Sequence, residues 1–319
     1  MSAERTVNFT DSFDLTLLVE KNSDATFKAA FQVLSSCVCL ASPVFKAMLQ
    51  GPFKEKNNEA IELPEDDSVA LEWILQIAHL RFDTLPTFTK EHILKLAVTG
   101  DKYRCLTIFH PWMDQLRTLM YQGAADLATI DGAVFATWVF KDQNAFKRAL
   151  ESAILHSARS EHGLVVKNRT LHDDLLPVGV KDHIMAARRQ LLEKIASICR
   201  DTRKSLLTYA ICASSISNAM WKEECNCLIL GAFSRAIHNK FINAEMTRWA
   251  KENTTVSGLA TSAKEGLRRP PGLGRNDHSA CWNRLNPRVA EVDKLLQSVQ
   301  EYLKFGEEHF NGAKESNLR

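Results

Sequence analysis

The chain has 319 residues, 45% of them hydrophobic and 24% charged, with a formal net charge of +2. That length accommodates two domains, and the balance is that of a globular protein. A net charge this small excludes a strong overall field for nucleic acid or an anionic membrane.

Met1-Ser-Ala-Glu-Arg-Thr-Val7 has neither the cationic start nor the apolar core of a secretory signal. The longest apolar run, Ala133 to Phe140, is far short of the ~18 residues that span a bilayer. The expectation is an intracellular protein, in nucleus or cytoplasm, neither secreted nor in a membrane. Its eight cysteines are then reduced thiols, mostly buried as small hydrophobes. On this reading the sequons at Asn8, Asn168 and Asn253 are chance matches.

In chain order, residues 1–12 read as a flexible N-terminus. Asp14-Leu-Thr-Leu-Leu-Val19 is an apolar strand, Lys21-Asn-Ser-Asp24 a polar turn, and Ala29 to Val33 the returning strand. Leu40, Val44, Phe45, Met48 and Leu49 then recur at helical spacing. Ser42-Pro43 provides an N-cap and a first-turn proline, and Gly51-Pro52 stops the helix. Ala60-Ile-Glu-Leu63 is a short strand and Pro64-Glu-Asp-Asp67 a helix start. Leu71, Ile74, Leu75 and Ala78 form one apolar face; Ile93, Leu96 and Ala97 form another on a helix ending near Gly100. Strands and helices mixed in this order give an α+β domain over 13–119.

Residues 120–267 read as helical almost throughout. Within them Lys181 to Tyr209 has a dry side (Ile184, Leu191, Ile195, Ile198, Leu206) and a wet side that includes Arg188, Arg189 and Arg200. A Pro/Gly-rich loop follows over 268–286. A last helix spans 287–310, and 311–319 is a flexible tail. Val289, Val292, Leu296, Val299 and Leu303 keep a 3-4 spacing, which suits either packing on the domain's own core or a short dimer helix.

The first domain resembles the BTB/POZ family, and within it the fungal BTB-domain proteins. The resemblance is carried by the opening strand led by Asp14 and by Leu40-Ala-Ser-Pro-Val-Phe-Lys-Ala-Met-Leu49. It continues through Phe53-Lys-Glu55, Ile61-Glu-Leu-Pro-Glu-Asp-Asp67 and Leu94-Lys-Leu-Ala-Val-Thr-Gly-Asp-Lys-Tyr-Arg-Cys105. Asp14, Ser42, Phe45, Asp101 and Tyr103 are its motif positions. From the residues alone, Ser42 is a cap, Phe45 a core knob, Asp101 a helix-end residue, and Tyr103 partly buried with a wet hydroxyl.

The resemblance implies a non-enzymatic protein-interaction module with three surfaces. One is a homodimer face built from the first helices. One is a hydrophobic-x-Glu turn that binds cullin scaffolds of ubiquitin ligases, matched here by Phe53 and Glu55. The third is a shallow peptide groove. Where many animal members carry a His-Arg pair, this chain has Leu34-Ser35. The alternative reading of Phe53 and Glu55 is a core cap beside a solvated carboxylate. The rival function is a transcription- or chromatin-associated protein; an enzyme with an unrecognised site in the helical domain is the weakest alternative.

Cys225-Asn-Cys227 with Asp277-His278-Ser-Ala-Cys281 offers a Cys3His zinc set: Cys225, Cys227, His278 and Cys281. Fungal relatives often show a Cys, a Leu-Gly pair (here Leu230-Gly231) and a later His-x-x-Cys. The single residue between Cys225 and Cys227 is tighter than the usual knuckle. The alternative makes Cys227 core, with His278 or Asp277 capping the next helix and no cofactor. Cys37 and Cys39 read as core. Gly272-Leu-Gly274 is only a fragment of a dinucleotide loop, and phosphate-loop, metalloprotease and serine-hydrolase signatures are missing. Arg268, Arg269 and Arg275 read as a solvated loop, so nucleic acid is not an expected partner.

Overall fold

A computed structural model describes residues 3–23, 26–53, 55, 58–85, 87–123, 130–166, 169–208, 212, 219–241, 254–268 and 279–316. The chain divides into two compact units, residues 1–124 with 132–146, and 125–131 with 147–319.

The first unit is built on a four-stranded sheet of β1 (Ala3–Asn8), β2 (Leu15–Lys21), β3 (Phe27–Val33) and β4 (Ala60–Leu63), in the order β1-β3-β2-β4. β2 and β3 form the antiparallel hairpin, while β1 runs parallel to β3 and β4 parallel to β2. β1 corrects the reading of residues 1–12 as flexible. Its side chains are mostly exposed, so it lacks the buried alternation that marks a strand, and its backbone pairing with β3 orders it.

β2 is apolar on both faces because both are covered. Leu15, Leu17 and Val19 enter the main core, while Leu18 packs on the other side with Phe27 and Ala30. Glu20 adopts a left-handed φ of 57°. Its carboxylate accepts from the amide and hydroxyl of Ser68, at 3.1 and 2.7 Å, and pairs with Lys28. These contacts offset a backbone conformation that costs a non-glycine residue on the order of 1–3 kcal/mol.

Four helices pack on this sheet: α1 (Ser35–Ala41), α2 (Pro43–Gln50), α3 (Ser68–Ala78) and α4 (Lys90–Lys102). The expected caps are present. Ser42 Oγ accepts from the Phe45 amide at 3.1 Å, and Asp67 Oδ1 from the Ala70 amide at 2.9 Å. Gly100 does not end α4. The helix runs two residues further and closes with the Cys105 amide on the Gly100 carbonyl and the Arg104 amide on that of Asp101, with Arg104 left-handed at φ 51°. That is a Schellman ending with arginine where glycine is usual. Gly100 serves close packing instead, since a Cβ there would lie 2.7 Å from Leu106 Cδ2. Helices α5 (Met113–Gly123), α6 (Ile130–Val139) and α7 (Gln143–His156) follow, the last two crossing the division between the units.

The second unit is mostly helical, but the expectation of near-continuous helix over 120–267 misses a small antiparallel sheet. β5 (Ala158–Ser160), β6 (Gly163–Val166) and β7 (Arg169–Thr170) pair in that order. Gly163, at φ 120°, makes the turn, and Val165-Val166 supplies the β-branched strand. Four helices then pack together: α8 (Val180–Thr208), α9 (Ala219–Phe241), α10 (Val256–Leu267) and, after the short α11 (Ser279–Asn283), α12 (Asn286–Gln297).

α8 matches its expected span, but Arg188 is not on the wet side. It is 2% exposed and donates to the Ser157 carbonyl at 2.8 Å and the Thr254 carbonyl at 3.0 Å. Burial, and secondarily the charge of Arg159, lowers its pKa to about 10. α11 occupies part of the stretch read as a loop over 268–286, of which 269–278 lie outside the described residues. The single last helix over 287–310 is also corrected. α12 stops at Gln297, a 3-10 turn spans Ser298–Lys304, and α13 (Glu307–Ser316) begins after Gly306 and replaces part of the expected tail. The seam is thereby broken; Val292, Val299 and Leu303 are buried within the unit, where α12 packs on α8 and α10.

Candidate functional sites

Several polar residues of the first unit meet in one network. Ser42 Oγ, besides capping α2, donates to the Tyr103 carbonyl at 2.6 Å. The Tyr103 hydroxyl donates to Asp66 Oδ2 at 2.7 Å, and Lys102 Nζ reaches Asp66 Oδ1 at 2.8 Å. The Tyr103 ring stacks on Phe45, with centroids 4.3 Å apart and planes 6° from parallel. Tyr103 is 1% exposed, which corrects the expectation of a wet hydroxyl. Burial, followed by the Asp66 charge and hydrogen bond, raises its pKa far above the ordinary phenol value.

Asp14 holds the start of α1: its carboxylate accepts from the Ser35 amide and hydroxyl, both at 2.6 Å. Burial pushes the Asp14 pKa up, but those two bonds outweigh it and leave the group below its usual range. Asp101 is exposed in the last turn of α4, and only its carbonyl takes part in the helix ending. Asp14, Ser42, Phe45 and Tyr103 are therefore framework groups, tied into the unit by caps, hydrogen bonds and ring stacking. The Leu34 amide donates to His79 Nε2 at 3.0 Å, so the His79 proton sits on Nδ1, which faces the Leu75 carbonyl at 2.8 Å.

This arrangement, a hairpin-centred mixed sheet with α1–α4 against it, agrees with a match of residues 5–117 to the BTB/POZ domain family. The N-terminal region is a BTB/POZ domain. BTB domains are protein-interaction modules, which sets the general role of this part of the chain. A search of curated proteins finds no match.

On the BTB domain, Phe53 and Glu55 lie in the stretch between α2 and β4. Phe53 is 56% exposed, so it does not cap the core, and Glu55 is half-buried with its carbonyl accepting from the Asn58 amide at 3.1 Å. Leu40, on α1, is 91% exposed although it falls on the helical apolar repeat. Of the two cysteines read as core, Cys39 is buried and Cys37 only half-buried.

In the helical unit, the expected metal set is only partly assembled. Cys225 and Cys281 come together, and the third thiol is Cys212; the three Sγ atoms lie within 4.8 Å of one another. Cys227 is exposed and outside the group, which corrects both readings of it, as ligand and as core. The reason is helical geometry: residues two apart on α9 point to nearly opposite sides. His278 lies outside the described residues. Cys212 was not legible as a partner because it lies thirteen positions before Cys225, too far for the spacing of a metal knuckle. Among the described residues this is the one cluster of three metal-ligating side chains. Cys105 and Cys199 are separate buried thiols whose pKa burial pushes up to about 12.

Proposed function

We propose that the BTB domain is an intracellular adaptor surface that binds a cullin-type scaffold through the turn carrying Phe53 and Glu55. The observation that carries this reading is an aromatic ring more than half exposed, two residues before a glutamate, on the segment after α2. An apolar anchor gains from burial in a partner's pocket, and the neighbouring charge orients the encounter. Self-association through the first helices is the second reading, favoured by Leu40, an aliphatic side chain that α1 leaves 91% exposed.

The test is binding of the purified chain to a cullin N-terminal domain by calorimetry. Wild-type protein binds, and Phe53→Ala with Glu55→Lys weakens binding by roughly 30-fold or more, the scale of losing an interface hot spot. The same double variant keeps its circular dichroism and thermal midpoint, since Phe53 is not in the core. Absence of binding by the wild type would sink the adaptor reading and turn attention to self-association.

A further inference from the structure

Three cysteines far apart in sequence converge in the second unit. Cys225 lies on the inward side of α9, Cys281 in the short α11, and Cys212 in the stretch preceding α9. Cys225 and Cys281 are buried and Cys212 is half-buried. The Cys212 and Cys281 sulfurs are 3.9 Å apart. The Cys212 amide donates to Asn226 Oδ1 at 3.1 Å, which holds Cys212 against the residue next to Cys225.

We infer that Cys212, Cys225 and Cys281 are the thiolate ligands of a zinc ion that fastens Cys212 and helix α11 to α9. Zinc–sulfur bonds are about 2.3 Å, so two sulfurs of a tetrahedral site stand roughly 3.8 Å apart, close to the observed separation. A disulfide needs its sulfurs at about 2.05 Å, so the same pair would have to move together by nearly half that gap. Soft thiolates select zinc over calcium or magnesium. Binding is a proton-for-metal exchange without redox change: three S–H protons leave and three Zn–S bonds form. Three protein thiolates leave a fourth coordination position for water or another donor.

The full chain, stripped of metal under reducing conditions, is titrated with cobalt(II) and then zinc(II). The expected result is thiolate-to-cobalt charge transfer with tetrahedral ligand-field bands, saturating at one ion per chain and displaced by zinc, with proton release. Zinc also raises the thermal midpoint. Cys225→Ser and Cys281→Ser weaken zinc binding by roughly 100-fold or more, since even groups behind the ligands are worth about 10–100-fold. Cys227→Ser binds as wild type. Should the buried variants fail to fold, Cys212→Ser, at a half-buried position, shows the same loss with its circular dichroism intact. The inference is overturned if the folded wild type gives no thiolate charge transfer, if Cys212→Ser retains wild-type affinity, or if Cys227→Ser is as damaging as Cys225→Ser.

Discussion

Asp66 is a carboxylate 4% exposed, and its position is tolerable because Tyr103 and Lys102 each give it a hydrogen bond. Removing one partner of such a group costs its desolvation, not merely the net worth of a hydrogen bond. Tyr103→Phe keeps the ring on Phe45 but removes the donor to Asp66, and it destabilises the BTB domain by about 1–3 kcal/mol. Denaturant titration of the two proteins measures this; an unchanged midpoint would mean the network is not a stabilising element. Ser42, Phe45 and Tyr103 were legible in the sequence as motif positions through the family resemblance, and Ser42 and Phe45 also through a helix start and an apolar repeat. Their shared partner Asp66 was legible only as part of an acidic turn, since it lies 37 positions from Tyr103 and only folding joins them.

At the scale of elements, His79 ties the connection between β3 and α1 to the end of α3. Its Nε2 accepts the Leu34 amide, and its ring lies 5.4 Å from that of Phe9. Burial, chiefly, with a contribution from the nearby Arg81 charge, lowers its pKa below the ordinary imidazole value, against the opposing effect of the Leu75 carbonyl. The sign follows: as pH falls through about 6.5 the unfolded chain takes up a proton that the folded one resists, so stability is lost on acidification. Protonation would also set an N–H against the Leu34 amide. The denaturation midpoint of wild type therefore drops between about pH 7 and pH 5, and His79→Gln, which keeps an acceptor but does not titrate, drops less. Equal drops in the two proteins would remove His79 from the account.

For the molecule as a whole, interaction is the property to measure. Leu40 is the most exposed large apolar residue on the helices that pack against the BTB sheet. If the proposed self-association runs through α1, light scattering gives a dimer mass for wild type and a monomer mass for Leu40→Glu at the same concentration. A wild-type monomer would leave the Phe53 turn as the leading surface. A dimer untouched by Leu40→Glu would place self-association elsewhere. Across the described residues no helix is long and apolar enough to cross a membrane.

The sequence by itself determined the α+β character of the first region, the hairpin, the capped helices α2 and α3, and the span of α8. These depend on short-range signals: a proline after a serine, an acidic cap, apolar residues every second or every third to fourth position. Tertiary structure alone decided the rest. β1 is ordered by backbone pairing that a mostly exposed strand does not advertise. Arg188 is buried because two distant carbonyls receive it, although its spacing placed it with the charged side of α8. The last helix breaks at Gln297 in spite of its regular apolar repeat. Cys212 joins Cys225 and Cys281, while Cys227 is turned away by the 3.6-residue period of α9. Contacts between residues dozens of positions apart leave no periodic trace in the chain, so they exist only once the helices have packed.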